Sequence, residues 1–287
     1  MSIKIGIITI NYNTENMVKR FIDGLINQEY SNWVLLIVNN SKSDIKIMRV
    51  INSFNDRRIH LLSINENIGY SKANNLGFKY LLKKNKIGND DTVLFSNEDI
   101  VIKDKSFLSR AIEVIKNKKC SFLGPKIINN DGSLMLPHST KTGFFKCLLH
   151  IGNNGRVDKI FKVNKNFKKV AEPIKVFLVN GACLFCKAFD FYKVGMLDTN
   201  TFIYYQEELL FRKVASNKFG VIYDPRIAVY HNHSGSFKKS SDIIRKKKFV
   251  YEGELYFLTK ILKISKIWLL LFKFERMIEF LLIKLRY

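Results

Sequence analysis

Val93-Leu94-Phe95-Ser96-Asn97-Glu98-Asp99-Ile100 is the stretch on which the reading of this chain turns. The apolar run Val93-Leu94-Phe95 has the pattern of a buried strand end. It breaks abruptly into Ser96-Asn97-Glu98-Asp99 before Ile100-Val101-Ile102 resumes. Residues two apart in an extended chain point the same way, so Asn97 and Asp99 can face one site together. Amide and carboxylate oxygens suit a hard cation such as Mg²⁺ or Mn²⁺, which proteins commonly share with substrate phosphates. Acids are also ordinary loop residues at strand ends, so the meaning of this motif depends on its surroundings.

Toward the N-terminus the same grammar repeats. Ile3 to Ile10, I-K-I-G-I-I-T-I, reads as a strand buried on both faces. It ends in Asn11-Tyr12-Asn13-Thr14, where Asn13 or Thr14 can cap a helix with apolar Met17, Val18, Phe21, Ile22, Leu25 and Ile26. A second strand, Trp33 to Val38, ends in Asn39-Asn40-Ser41-Lys42-Ser43-Asp44. A third, Ile59 to Ile64, ends in Asn65-Glu66-Asn67-Ile68-Gly69, with a helix from Tyr70 to Lys84 after it. Strand, polar turn and helix recur about every thirty residues, the mark of an α/β chain with a parallel sheet covered by helices on both faces. Ligands bind such sheets at the carboxyl ends of the strands, so the four polar clusters should converge on one crevice. No G-x-G-x-x-G follows the first strand and no G-x-x-x-x-G-K-[ST] occurs, which leaves neither a dinucleotide fold nor a P-loop supported.

Toward the C-terminus, a helix is predicted over Lys105 to Lys118 and a strand over Ser121 to Ile128. Residues 129–172 are polar, basic and irregular, and include His138 and His150. Val176 to Cys186, V-F-L-V-N-G-A-C-L-F-C, reads as strand, small-residue turn and strand. In it Asn180-Gly181-Ala182 lets a ligand approach the backbone. Phe202-Ile203-Tyr204-Tyr205-Gln206-Glu207-Glu208 leads into a helix through Asn217, and Pro225 to Ser236 carries His231 and His233 two apart.

Seven segments together resemble a family 2 glycosyltransferase of the GT-A fold, in the bacterial rhamnosyltransferase-like, polysaccharide-synthesis branch. They are I-I-T-I-N-Y-N at 7–13, V-N-N-S-K-S-D at 38–44, N-E-N-I-G-Y-S-K-A-N-N-L-G at 65–77, S-N-E-D at 96–99, N-G-A-C-L-F at 180–185, F-I-Y-Y-Q-E-E at 202–208 and P-R-I-A-V-Y-H at 225–231. The resemblance implies that Thr9, Asn11 and Asn13 line a nucleotide crevice. Asn39 stands where many relatives carry a base-contacting aspartate, and Lys72 and Asn75 lie near the nucleotide. Asp99 would be the metal-binding acid of the family's D-x-D, with Asn97 in place of its first aspartate. Gly181 would sit beneath the donor sugar, and His231 would approach the metal or the diphosphate. Inverting relatives place a catalytic base near Gln206-Glu207; Glu207 is the choice and Glu208 the rival one residue on.

The 287 residues carry a net charge of +23, with 47% hydrophobic residues, enough for a folded core. Such a charge suits anionic substrates or an anionic membrane surface. No arginine-rich helix, zinc finger or aromatic RNA-binding signature accompanies it, so nucleic acid is not expected as a partner. Cys183 and Cys186 form a lone C-x-x-C in an apolar segment, read as buried free thiols in a reduced, cytoplasmic setting. The short apolar run at the N-terminus does not read as a signal peptide, and no stretch reaches the length of a membrane span.

The expected organisation is a catalytic domain over 1–240, with a nucleotide-binding half at 1–103 and an acceptor half at 104–240, followed by a basic helical tail at 241–287. If Leu255 to Leu285 is one helix, Lys260, Lys263, Lys266, Lys273 and Lys284 fall within about 140° of its wheel, as in a helix lying in a membrane interface on the inner face of the cell membrane; the alternative is a pair of helices packed on the catalytic domain. The expected reaction is metal-dependent transfer, with inversion, of a sugar from dTDP-rhamnose or a UDP-hexose to a hydroxyl of a lipid-linked glycan. The alternative is a catalytically degenerate sugar-nucleotide binder in a membrane assembly, since Asn39, Asn97 and Gln206 stand where acids are usual.

Overall fold

The computed structural model describes residues 2–117, 119–144, 167–232 and 240–286; His150 and His233 lie outside them. The strand–turn–helix repeat is realised as β1 (Ile5–Asn11), α1 (Glu15–Ile26), β2 (Trp33–Asn39), α2 (Ile45–Phe54), β3 (Ile59–Ser63), α3 (Tyr70–Lys83) and β4 (Thr92–Ser96). These four strands are parallel, in the order β3-β2-β1-β4. Alternation along the strands divides the core between two faces. Ile5, Ile7, Leu35, Ile37 and Leu94 pack under α1, with Val18, Phe21, Ile22 and Leu25. Ile8, Leu36, Val38, Val93 and Phe95 pack under α3, with Ala73, Phe78 and Leu81. Gly77 lets α3 lie close, because a Cβ there would stand 3.0 Å from methyls of Ile8 and Val38.

The sheet continues through β5 (Ile100–Val101), β6 (Phe122–Asn129), β7 (Leu134–Met135), β8 (Ile174–Lys175), β9 (Cys183–Lys187) and β10 (Val221–His231). The helices of this half are α4 (Phe107–Lys116), α5 (Ala188–Lys193) and α6 (Gln206–Ser216). The order across the sheet is β3-β2-β1-β4-β9-β6-β10-β5, with β9 antiparallel to both β4 and β6. One sheet therefore runs through both halves of the expected catalytic domain.

The strand expected from Val176 does not form. Leu178 makes an isolated bridge with His138, and Val176 N donates to Val221 O at 3.0 Å, so this backbone is satisfied from two sides without joining a ladder. Cys183 and Cys186 fall on opposite faces of β9, one in each core cluster, because their separation is odd. Burial holds both thiols well above the ordinary cysteine range.

Of the two readings of Leu255 to Leu285, one interfacial helix or a pair of helices packed on the catalytic domain, the structure shows two helices. Helix α7 (Ser240–Tyr256) runs into a π-helical turn at Phe257–Ile261, Lys263 takes φ 50°, and α8 (Lys266–Arg286) begins afresh. Lys260 and Lys263 thus lose their register with Lys266 and Lys273, and the side chain of Lys284 lies outside the description. Phe257, Leu258 and Phe272 form a small core with Leu209 of α6. Beside it Arg276 meets both carboxylate oxygens of Glu254, at 2.8 and 3.0 Å. Among the described residues no helix is long and apolar enough to cross a membrane.

Candidate active site

The ends of β1 and β2 are tied by side chains. Asn11 Nδ2 donates to Asn39 Oδ1 at 2.7 Å, and Asn39 Nδ2 donates to Asp44 Oδ1 at 2.6 Å and to Ser43 O at 3.1 Å. Asn13 takes φ 58° and donates its N–H to Ser41 Oγ at 2.9 Å. Asn11 and Asn39 are thus buried organisers of the two loops, while Asn13 is exposed beside them. Thr9 is fully buried within the sheet, with no hydrogen bond for its hydroxyl among the described residues.

Outside these loops lies a groove of about 440 Å³ lined by Asn13, Lys42, Lys46 and Arg49. Those three cations were missed in the sequence. Lys46 and Arg49, three apart, share one face of α2, and Lys42 lies in the loop that leads into it.

Lys72 is exposed in the first turn of α3. Asn75 is not brought to the crevice. Its amide makes a two-way clamp with the Leu197 backbone, at 2.9 and 3.1 Å, which anchors α3 to the chain before α6.

At the end of β4, Asp99 Oδ1 lies 2.9 Å from His231 Nε2, at the end of β10. The pairing of β5 with β10, His231 opposite Ile100, sets this distance. His231 Nδ1 lies 3.2 Å from Met135 Sδ, a weak acceptor, and Nε2 faces the Asp99 carboxylate, a strong one. Both atoms are shut off from solvent, so the pair shares either a proton, as an Nε2–H donated to the carboxylate, or a cation. Two ligands on adjacent positions of one octahedral ion, each at about 2.1 Å, would be about 3 Å apart, so the pair fits a divalent ion. Among the described residues no third His, Cys, Asp or Glu joins them. Glu98 points elsewhere and accepts from Thr14 Oγ1 at 3.0 Å; burial, and then the neighbouring Asp99, push its carboxyl up to about 7.

The Asn180-Gly181-Ala182 turn joins this end of the sheet to α6. Asn97 N donates to Ala182 O at 2.9 Å, Tyr70 Oη donates to Gly181 O at 2.9 Å, and Gly181 N donates to Glu207 Oε1 at 3.3 Å. Gly181 is small for a reason the sequence did not show: a Cβ there would stand 2.6 Å from Glu207 Oε1. Burial raises the Glu207 pKa, partly offset by the backbone donors at Glu207 and Gly181.

Glu208 is engaged by neighbouring groups of the fold. It accepts from Arg212 Nε and from Thr142 N, each at 3.1 Å. Glu207 and Glu208 both border a cavity of about 320 Å³, walled also by Leu136, Leu178, Asn180, Tyr204 and Tyr205; what separates them is that Glu208 is bonded to Arg212 and Thr142 while Glu207 accepts from Gly181 N. Tyr204 and Tyr205 take φ 72° and 63° just before α6, a left-handed pair that costs about 1–2 kcal/mol per residue. The tail holds it in place: Tyr205 Oη donates to Glu254 Oε1 at 3.3 Å, and Gly253 packs on the Tyr205 ring.

This arrangement pairs a carboxylate and an imidazole at a strand end with a second, half-buried carboxylate across a small-residue turn, in a sheet whose first half is parallel. It has the layout of a GT-A nucleotide-sugar enzyme. Residues 6–194 match the Glycosyl transferase family 2 profile, and the chain belongs to that family. It is 26% identical over 207 residues to the low-salt glycan biosynthesis hexosyltransferase Agl10 of Haloferax volcanii, covering 71% of this chain and 59% of that protein. It is 30% identical over 129 residues to the UDP-Glc:alpha-D-GlcNAc-diphosphoundecaprenol beta-1,3-glucosyltransferase WfgD of Escherichia coli, covering 44% of this chain and 47% of that one. The matches therefore span about half the length of these relatives. Among solved structures, the mannosyltransferase PcManGT of Pyrobaculum calidifontis, in complex with GDP-Man and Mn²⁺, superposes with a TM-score of 0.59 at 14% identity, over 92% of this chain and 65% of that one. That likeness establishes the GT-A fold.

Proposed function

We propose that this chain transfers a sugar from a nucleotide diphosphate donor, dTDP-rhamnose or a UDP-hexose, to a hydroxyl of a lipid-linked glycan, with inversion at the anomeric carbon. The observation that carries the reading is the placement of Glu207, a half-buried carboxylate facing a cavity and tied through one turn to the strand end that bears Asp99. The acceptor hydroxyl gives its proton to Glu207 as its oxygen bonds to the anomeric carbon. The bond from that carbon to the diphosphate breaks, and the bonding pair leaves with the nucleotide diphosphate. Asp99 and His231 would hold Mg²⁺ or Mn²⁺, which when bound offsets the charge gathering on the leaving diphosphate. Lys42, Lys46 and Arg49 supply positive charge in the groove beside Asn13. Leu136 and Leu178 give the cavity an apolar wall suited to a sugar ring face. A lipid-linked acceptor places the reaction at the cytoplasmic face of a membrane; the lipid-diphosphate acceptor in the name of the Escherichia coli relative supports this.

The test is release of nucleotide diphosphate from dTDP-rhamnose and UDP-hexoses in the presence of lipid-diphosphate-linked saccharides and Mn²⁺. Turnover lost in Glu207→Gln supports the assignment; full turnover in that variant refutes it. A melting temperature raised by nucleotide, with no turnover on any acceptor, would favour the degenerate binder.

A further inference from the structure

Helix α8 has two unlike faces. Inward it buries Phe272 and Arg276, at 0% and 4% exposure, with Glu279 beside them. Outward it exposes Ile267, Leu270, Leu271, Phe274, Met277, Ile278, Leu281 and Leu282, between 40% and 72%. At 100° per residue these eight occupy one arc of about 140°, in a stripe about 22 Å long. Stripes of this size rimmed by polar groups mark contact surfaces.

Charge decides the occupant. The cations on the outward side of α8 are Lys266 and Lys273, both exposed and both on one edge of the stripe. Its acids turn inward or to the flank: Glu279 is held by Lys247 and Arg276, and Glu275 is half-buried. Trp268 stands 41% exposed on the other edge, its ring 5.1 Å from that of Phe144, the position of an interfacial aromatic. A second copy of the chain would bring lysine edge to lysine edge, at +23 on each side. An anionic headgroup layer over acyl chains satisfies both the stripe and its basic edge.

We propose that the outer face of α8 seats on an anionic phospholipid surface, with the helix axis lying in the plane of the interface. The stripe enters the acyl boundary, Lys266 and Lys273 meet phosphates, and Arg276 on the opposite face keeps α8 fixed to Glu254. The inference stands apart from the transfer chemistry, since it needs neither donor nor acceptor.

The experiment is co-sedimentation of the full chain, without nucleotide, with vesicles of phosphatidylglycerol and phosphatidylcholine or of phosphatidylcholine alone. The chain should sediment with the anionic vesicles and at least tenfold less with the neutral ones. Leu270→Glu with Phe274→Glu alters only exposed side chains, so the melting temperature should hold while vesicle binding falls at least tenfold. Lys266→Gln with Lys273→Gln should weaken binding to anionic vesicles by roughly twentyfold, about fivefold for each charge, and leave neutral vesicles unaffected. Absence of binding to anionic vesicles would overturn the proposal. So would unchanged binding in the Leu270/Phe274 variant. A dimer in vesicle-free buffer that this variant dissociates would assign the face to a second copy instead.

Discussion

Asp99 Oδ1 and His231 Nε2 stand 2.9 Å apart, although 132 residues separate them in the chain. Asp99→Ala should remove the Mn²⁺-dependent part of any rise in melting temperature given by a nucleotide diphosphate, and His231→Ala should reduce it. Both variants should keep their unliganded melting temperature within a few degrees. A metal-dependent rise that survives in Asp99→Ala would place the ion elsewhere.

The neighbouring carboxylates Glu207 and Glu208 should separate by experiment. Glu207→Gln should lower kcat by about 10²–10⁴, the usual span for a general base, with little change in stability. Glu208→Gln weakens the contacts to Arg212 and Thr142 and should cost about 1–3 kcal/mol in urea unfolding, with kcat per folded molecule largely kept. The reverse pattern would exchange their roles.

Gly181→Ala inserts a methyl 2.6 Å from Glu207 Oε1. The carboxylate must move, and kcat should fall at least tenfold while nucleotide affinity, measured by titration, stays within about twofold. A matching loss of nucleotide affinity would mean that the glycine serves the donor rather than the base.

The pH profile should carry the mark of Glu207. Its pKa is raised by burial, so the active carboxylate forms only above the ordinary glutamate range. The acid limb of kcat/KM should therefore lie above that range, with rate rising as pH rises through it. The sign for stability is the opposite. The folded state favours the protonated group, so this group's contribution is full below the unfolded glutamate value and is lost as pH rises through the folded one. An acid limb at the ordinary glutamate value would show that Glu207 is not the group being titrated.

Arg276 and Glu254, 5% and 3% exposed, bind the tail to the loop that carries Tyr205. Arg276→Ala strands a buried carboxylate and should cost about 3–5 kcal/mol. Arg276→Met with Glu254→Leu should recover most of that in urea denaturation. If the single variant is neutral, the tail is not held by this pair.

The first half of the fold was legible because parallel strands buried on both faces are written as continuous β-branched runs, and their polar ends as Asn-rich clusters. The region around the Asn180 turn was legible only as two apolar runs. Whether such a run joins a ladder depends on what lies beside it, and Val176 to Val179 found His138 and Val221 in place of a strand. Asn75 and Asn39 looked like ligand residues because amides at strand and helix ends serve ligands and backbone equally well. In the structure Asn75 clamps the Leu197 backbone and Asn39 donates to Asp44, partners that no local pattern names.

By itself the sequence determined the α/β repeat, the strand end at Asn97-Asp99, the family resemblance and the apolar tail, since each is a local pattern of burial and polarity. Only the tertiary structure decided that His231 meets Asp99, that Gly181 makes room for Glu207, that Glu208 serves Arg212, and that the tail breaks at Lys263 to leave one face of α8 uncovered. Those outcomes depend on contacts between residues far apart in the chain, which are set by how the sheet orders its strands and which helix covers which face; no periodicity within a single segment records that.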